Sequence, residues 1–364
     1  MSGTAAVSLP TWRGVATRVD LARSTGPAHA FRRWRRDRAL AELVQGRRLQ
    51  LARALWAEAA AELGAEVVEV TRAELELRRG AAVARVTGQT VTLNDPRAAE
   101  RAAEKPLVYE LLAGAGVPVP EHHAFRLRDL AGARAFLARG PLPCVVKPAR
   151  GSGGDGVTGG VRTERDLRRA ALSASRYAPR LLVERQAAGD VFRLLVLDGE
   201  VLDVVRRRPP TVTGDGRSTL EELIFAEDER RLRGHADPGL KPFAVDLDCL
   251  LALERQGLSL RSTPPAGATV RVKTVTNYNR PLDNESVRGA VSEAFCTCAV
   301  AAARAVGLRL AGVDVVARRT DGDGVVVDLN PIPALHHHLH VANPGATSRV
   351  AVPILRALLG EPPP

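Results

Sequence analysis

Apolar positions recur at helical spacing through LARALWAEAAAELG, which begins just after Gln50, and predict a helix stopped by its glycine. The pattern then changes to alternation. AEVVEV, AELELRR and AAVARVTGQTVTL read as short strands, with turns at Arg79-Gly80 and Thr87-Gly88, in a small α/β unit ending near Asn94-Asp95-Pro96. A helix follows from about Pro96 to Ala115 and stops at Gly116, where VPVP breaks the chain. HHAFRL predicts a strand, LRDLAGARAFLAR a helix capped by Asp129, and PCVVKPA and GVTGGVR two strands flanking a glycine loop. Thr163 to Ser173 reads as a helix opened by the pair Thr163 and Asp166.

The second half opens with the strand RLLVERQ. VFRLLVLDGEVLDVVRR is a hairpin turned at Asp198-Gly199, and Gly214-Asp215-Gly216 is a further turn. Ser218 with Glu221 forms a capping box before the helix LEELIFAEDERRL. Residues 235–285 read as irregular with short strands, and Ser286 to Val306 as a long apolar helix. RLAGVDVVAR and GVVVDLN predict a strand pair, and a last helix is expected near Thr347 to Leu359. Residues 1–45 are Arg-rich and weakly patterned, with no fold assigned. The whole is a mixed α+β pattern in which antiparallel hairpins outnumber βαβ units. Four segments are expected: an arm over 1–45, a small α/β domain over 46–104, and two larger units over 105–183 and 184–364.

The length, 364 residues, leaves room for these cores, and 45% hydrophobic with 26% charged residues is ordinary for a soluble chain. No run of about 18 apolar residues exists and the first residues lack an apolar signal core, so no membrane partner and a cytoplasmic location are expected. Cys144, Cys249, Cys296 and Cys298 sit in apolar segments with no disulfide framework, which fits a reducing compartment. Cys296-x-Cys298 has no second pair to complete a metal site. The net charge of +11 raises nucleic acid as a partner, but 4% aromatic residues leave little surface on which bases stack. Much of the excess crowds into Arg32, Arg33, Arg35, Arg36 and Arg38, a solvated arm or helix face, or a surface for an acidic partner. Only four of the 52 Lys and Arg residues are lysine (Lys105, Lys147, Lys241 and Lys273), which marks them as places where a compact ammonium is wanted.

The loop CVVKPARGSGGDGV carries the chemistry. Gly151, Gly153 and Gly156 spell G-x-G-x-x-G, yet VTGGV follows rather than the helix a dinucleotide fingerprint requires, and no Gly-Lys-Ser/Thr makes it a Walker A loop. Strand, glycine loop, strand is either an exposed hairpin with a loose tip or a flap whose N–H groups cover phosphates, with Lys147 reaching them as a point charge. Further on, an apolar strand meets Glu184, as a hinge for an adenine edge would. Asp314, Asp328 and Asn330 lie on the last strand pair and project to one face, an oxygen set that suits Mg²⁺.

These pieces, taken in order, resemble the ATP-grasp carboxylate–amine ligases, with the ligase modules of cyanophycin synthetases and bifunctional glutathione synthetases nearest and D-Ala–D-Ala ligases more distant. The resemblance rests on AAEKPLVYELLAGAGVPVP, Lys147 with its glycines, VERQAAGDVFRLLVLDGEV, TVTGDGRSTLEELI, LAGVDVV and VVVDLNPIPALHHH, and covers about residues 50–360. It implies an ATP-grasp fold in which two α+β subdomains clamp ATP, and an enzyme that joins an amino acid or small peptide to an amine through an acyl phosphate, in specialised metabolism, with Mg²⁺ or Mn²⁺. It implies phosphate binding by Lys105 and Lys147, a flap at Gly153, Gly154 and Gly156, and a nucleotide hinge over Val183, Glu184, Arg185 and Gln186 with Asp190 close by. It also implies metal ligation by Asp314, Asp328 and Asn330, with Asp328 where glutamate is usual, and catalytic places for Arg193, Lys273 and Asn277. The loop YNRPLDNES after Asn277 departs from the family, so a different substrate is expected there. His336, His337 and His338 would line the substrate pocket or, with His340, supply a base. Relatives often pair, so a homodimer is expected. Phosphoryl transfer without ligation and nucleic-acid binding are the competing readings.

Overall fold

The computed structural model describes residues 26–233, 243, 245–276, 283–321, 324–339, 341–343 and 349–361. The first element is a single helix, α1 (Pro27–Leu63), closed by Gly64 in the left-handed conformation. It runs through the boundary expected between 45 and 46: the arginine-rich stretch continues the helix whose apolar face appears only after Gln50. Its second half buries Leu55, Trp56 and Leu63 against a three-stranded antiparallel sheet, β1 (Glu66–Glu69), β2 (Glu74–Arg79) and β3 (Ala82–Thr87). The expected helix from Pro96 is two, α2 (Pro96–Ala102) and α3 (Lys105–Gly114), because Ala103 and Glu104 end the first and Pro106 starts the second.

The second layer is a four-stranded antiparallel sheet ordered β4-β7-β5-β6, from β4 (His122–Arg126), β5 (Cys144–Pro148), β6 (Thr158–Val161) and β7 (Arg180–Arg185). Helices α4 (Ala131–Ala138) and α5 (Glu164–Ala174) bury Phe136, Leu167 and Ala171 against it. Thr163 and Asp166 cap α5 reciprocally, as the sequence predicts. Asp129 does not cap α4; Leu130 holds that position, and the Asp129 backbone closes a turn to Arg126 instead.

The third layer is a five-stranded antiparallel sheet ordered β12-β9-β8-β13-β14. It contains the hairpin β8 (Asp190–Leu197) and β9 (Glu200–Arg207), with β12 (Asn284–Ser286), β13 (Leu310–Ala317) and β14 (Val325–Asn330). Asp198 turns the hairpin at φ 49°, a backbone conformation that aspartate tolerates better than most residues. Phe192, Leu194, Val196, Val313 and Val315 point to one face, which is buried under α8 (Glu293–Val306) and α3. Because side chains alternate along a strand, the residues between them face the other way. At one end of that second face, Leu195, Leu197 and Leu310 pack on the N-terminal unit. At the other end, Asp314 and Asp328 are left facing a cleft, with Arg193 buried beside Asp314.

An insert after β9 has its own small core of Ile224, Phe243, Leu253 and Val270. It consists of β10 (Thr211–Thr213), α6 (Leu220–Arg233), α7 (Leu247–Glu254) and β11 (Thr269–Arg271). Its capping box is Thr219 with Glu222, one residue beyond the predicted pair, and α7 is a helix within a stretch read as irregular. The long apolar helix starts at Glu293, later than predicted, and α9 (Ala351–Leu358) ends the described chain close to its expected place. Two expected boundaries do not coincide with the packing. The line at 183/184 cuts β7, and α3, assigned to the middle unit, packs on the large sheet. No helix among the described residues is long and apolar enough to cross a membrane.

Candidate functional site

The cleft lies between the four- and five-stranded sheets and encloses about 290 Å³. Its floor is one rung of the large sheet. Arg193 on β8 stands opposite Asp314 on β13, which stands opposite Asp328 on β14. Directly opposed residues point to the same face, so three separate strands deliver a cation and two carboxylates to one line. Arg193 grips Asp314 through two parallel bonds, Nε to Oδ1 at 2.6 Å and Nη2 to Oδ2 at 2.8 Å. Burial alone would lower the Arg193 pKa, but Asp314 outweighs it and the guanidinium is held more firmly charged than usual. Gly312 makes room: a Cβ there would lie 2.6 Å from Arg193 Nη1. The β13–β14 ladder is irregular just after Asp314, a local distortion common beside active sites.

The roof is the β5–β6 hairpin. Its antiparallel pairing establishes the strand-loop-strand arrangement and excludes a helix after the glycines. Gly151, Ser152, Gly154 and Asp155 line the cleft. Lys147, near the end of β5, extends its ammonium into a closed polar ring, where Nζ lies 2.8 Å from Glu184 Oε2 and donates to Tyr109 Oη at 2.8 Å and to the Val327 carbonyl at 2.9 Å. Tyr109 Oη also lies 2.9 Å from Glu184 Oε2. Lys105 meets Asp328 at 3.0 Å and donates to the Gly151 carbonyl at 2.9 Å, joining roof to floor. Burial pushes the Asp328 carboxyl up, yet Lys105, then Lys147 and Arg193, overcome it and hold it below the ordinary carboxylate value.

The structure thus brings Lys105, Lys147, Gly154 of the flap, Glu184, Gln186, Asp190, Asp314 and Asp328 to the lining of one cavity, with Arg193 paired to Asp314 but outside that lining, as are Gly153 and Gly156. Other predicted residues lie elsewhere. Val183 is fully buried in the sheet core. The Arg185 side chain points away from the cleft and stacks over Phe136, with its guanidinium carbon 4.0 Å from the ring centroid. Lys273 is 1% exposed in the insert, pairs with Asp246 and lies 3.9 Å from Asp248. Its charge is spent on those carboxylates rather than offered to the cavity. Asn277 and His340 lie outside the described residues. Cys296 and Cys298, two apart on α8, point to different sides of the helix, which cannot make a metal pair.

Of the predicted histidine tract, none of His336, His337 and His338 lines the cleft. His336 contacts Gln89, and His338, wholly buried, hydrogen-bonds through Nδ1 to Asp203 at 2.7 Å. Burial, followed by neighbouring cations, lowers the pKa of His337 strongly; burial also lowers His338, against the pull of Asp203. Both groups therefore favour a neutral fold. Their stabilisation is complete above the ordinary histidine value of 6.5 and is lost as pH falls below it, where the unfolded chain takes up protons first. Thermal melting followed from about pH 7.5 to about 5 should show a falling midpoint, and His338→Asn should flatten that slope. An unchanged slope in the variant would show that the acid sensitivity lies elsewhere.

Tyr109 and Arg207 were not legible as site residues. Tyr109 sits one helical turn after Lys105 on α3, a spacing that in hindsight places both on one face. Arg207 is 1% exposed, lines the cleft and donates to the Thr276 carbonyl at 3.1 Å. Burial lowers its pKa to about 10, with Asp314 opposing.

Two α+β lobes closed over a cation-lined cleft, with a glycine flap above and a carboxylate rung below, define the ATP-grasp class of fold. The chain belongs to the ATP-grasp ligase family. The family profile described as D-ala D-ala ligase C-terminus matches residues 111–213. The cyanophycin synthetase of Trichormus variabilis is 32% identical over 248 residues, 66% of this chain and 27% of that protein. The glutathione biosynthesis bifunctional protein GshAB of Enterococcus faecalis is 27% identical over 309 residues, 81% of this chain and 40% of that one. The crystal structure of a bifunctional glutathione synthetase from Pasteurella multocida superposes with a TM-score of 0.51 at 22% identity, covering 82% of this chain and 41% of that chain. The chain therefore spans between 27% and 40% of the length of these two curated relatives.

Ligases of this family use ATP and Mg²⁺. The residues present fit such an ion. Asp314 and Asp328 both line the cleft and are hard oxygen ligands of the kind such an ion takes, and each would exchange a protein partner, Arg193 or Lys105, for it.

Proposed function

We propose that this chain is an ATP-dependent ligase that joins the carboxylate of an amino acid or small peptide to an amine. The observation that carries this reading is that Asp314, held by Arg193, and Asp328 line a single cavity with Lys147 and Lys105. In the proposed reaction a substrate carboxylate oxygen attacks the γ-phosphorus of ATP. A carbon–oxygen–phosphorus link forms as the bond to ADP breaks. The amine nitrogen then attacks the acyl carbon, and phosphate leaves with the amine proton. Asp314, Asp328 and Asn330 would hold Mg²⁺, which supplies positive charge beside the phosphates. Lys147, Lys105 and Arg193 supply fixed positive charge that needs no reorganisation as negative charge develops. The flap at Gly151 to Gly156 shields the acyl phosphate from water.

The similarity of the chain to cyanophycin synthetases and to GshAB supports an amino-acid or peptide substrate. The pathway, by this reading, is a specialised one. The test is a panel of amino acids and dipeptides, singly and in pairs, assayed for stimulated phosphate release with product masses determined. A pair that releases phosphate and yields a product lighter than the sum by one water supports ligation. Phosphorylated product from one substrate, with no requirement for an amine, would establish phosphotransfer instead.

A further inference from the structure

β6, the return arm of the flap, is an edge strand of its sheet. Edge strands expose unpaired N–H and C=O groups, and here side chains of the insert, together with Gln186, occupy those of Gly159 and Gly160. The Asp248 carboxylate on α7, wholly buried, accepts from the Gly159 N–H at 3.1 Å. The same carboxylate accepts from the backbone N–H groups of Thr274 at 2.9 Å and Val275 at 3.2 Å, and from the Thr274 hydroxyl. Arg255, which caps the other end of α7, donates to the carbonyls of Gly159 at 2.9 Å and Gly160 at 2.6 Å. Gln186 accepts from the Gly160 N–H at 2.6 Å.

The glycine pair is what admits this clamp. Gly160 has φ +66°, and a Cβ there would lie 2.1 Å from the Arg255 guanidinium; a Cβ on Gly159 would lie 2.5 Å from the Thr274 hydroxyl. A buried carboxylate is costly unless its lone pairs are filled, and here four donors fill them with Lys273 3.9 Å away. One side chain therefore bonds the flap strand and the segment that follows β11. Gly159, Thr274, Val275 and Thr276 all line the cleft, whereas Asp248 does not.

We propose that Asp248 is a positioning residue that couples the flap to the Thr274–Thr276 wall, so that the two close on a nucleotide as one body. The inference rests on the nucleotide reading of the cleft. Substitution Asp248→Asn keeps the shape but turns one acceptor into a donor, opposing at least one of the N–H or O–H groups now bound.

Hydrogen exchange of the full chain with and without AMPPNP and Mg²⁺ tests it. In the wild type, nucleotide should protect the flap and the Thr274–Thr276 amides over the same concentration range. In Asp248→Asn the flap should be protected without the wall, and AMPPNP should bind about tenfold more weakly. Joint protection at wild-type affinity would overturn the proposal. Thr274→Val, which deletes only the hydroxyl bond, carries the test if Asp248→Asn does not fold. It should separate the two protection curves, and curves that stay superimposed would likewise overturn the coupling. A wild-type chain that binds no AMPPNP would remove the nucleotide reading and this inference with it, an outcome distinct from binding without coupling.

Discussion

Replacing Lys147 with methionine is expected to lower ATP turnover by about a hundred- to a thousand-fold, the usual cost of removing one preorganised charge-stabilising group. It should also destabilise the fold, for a reason separate from catalysis. Lys147 and Glu184 are 5% and 3% exposed and lie 2.8 Å apart, with the Tyr109 hydroxyl bridging them. Removing the cation strands a buried carboxylate, at a cost of about 3–5 kcal/mol. Adding Glu184→Gln should restore much of that stability, because the amide needs no counter-charge, without restoring turnover. Chemical denaturation and steady-state ADP release, measured on both single variants and the double, separate the two effects. Arginine should not substitute, since its planar fork cannot occupy a ring built around a single nitrogen. Wild-type turnover in Lys147→Met would refute the assignment of this lysine to the phosphates.

The second large effect concerns the metal. Asp328→Asn should lower turnover by at least about a hundredfold and raise the Mg²⁺ concentration needed for half-maximal rate. Two losses combine. The amide is a weaker ligand for a hard cation, and Lys105, 3.0 Å from Asp328, loses its partner at the seam between roof and floor. Asp328→Glu, which lengthens the arm by one methylene, should retain most of the rate. Titrating Mg²⁺ and Mn²⁺ against initial rate reads this directly. A variant with unchanged rate and unchanged metal dependence would exclude Asp328 from the metal site.

The contrast between Lys105 and Lys147, which line the cleft, and Lys273, which does not, shows where sequence reading holds. Lys147 precedes a strong local signal, a glycine hairpin, so its immediate geometry was available from neighbours in sequence, whereas the helix start at Lys105 emerged only in the structure, one helix having been expected from Pro96 to Ala115. Lys273 had the same rarity in composition but no such context. Its partners, Asp246 and Asp248, stand 27 and 25 positions earlier on α7, a helix concealed by a segment with little periodicity. The same limit hid Tyr109. Its hydroxyl meets Lys147 38 residues on and the Val327 carbonyl 218 residues on, distances across which composition and spacing are silent.

The chain by itself determined the order of strands and helices around the glycine loop, the antiparallel hairpins, and which carboxylates fall on the last strand pair. These depend on periodicity, turn residues and caps, all of which act within a few positions. Only the tertiary structure decided that Arg193, Asp314 and Asp328 share one rung, that Arg185 turns away, and that Asp248 joins insert to flap. Those outcomes depend on which strands become neighbours and on what remains to pair each charge once water is excluded, and both are set by the packing of the whole chain.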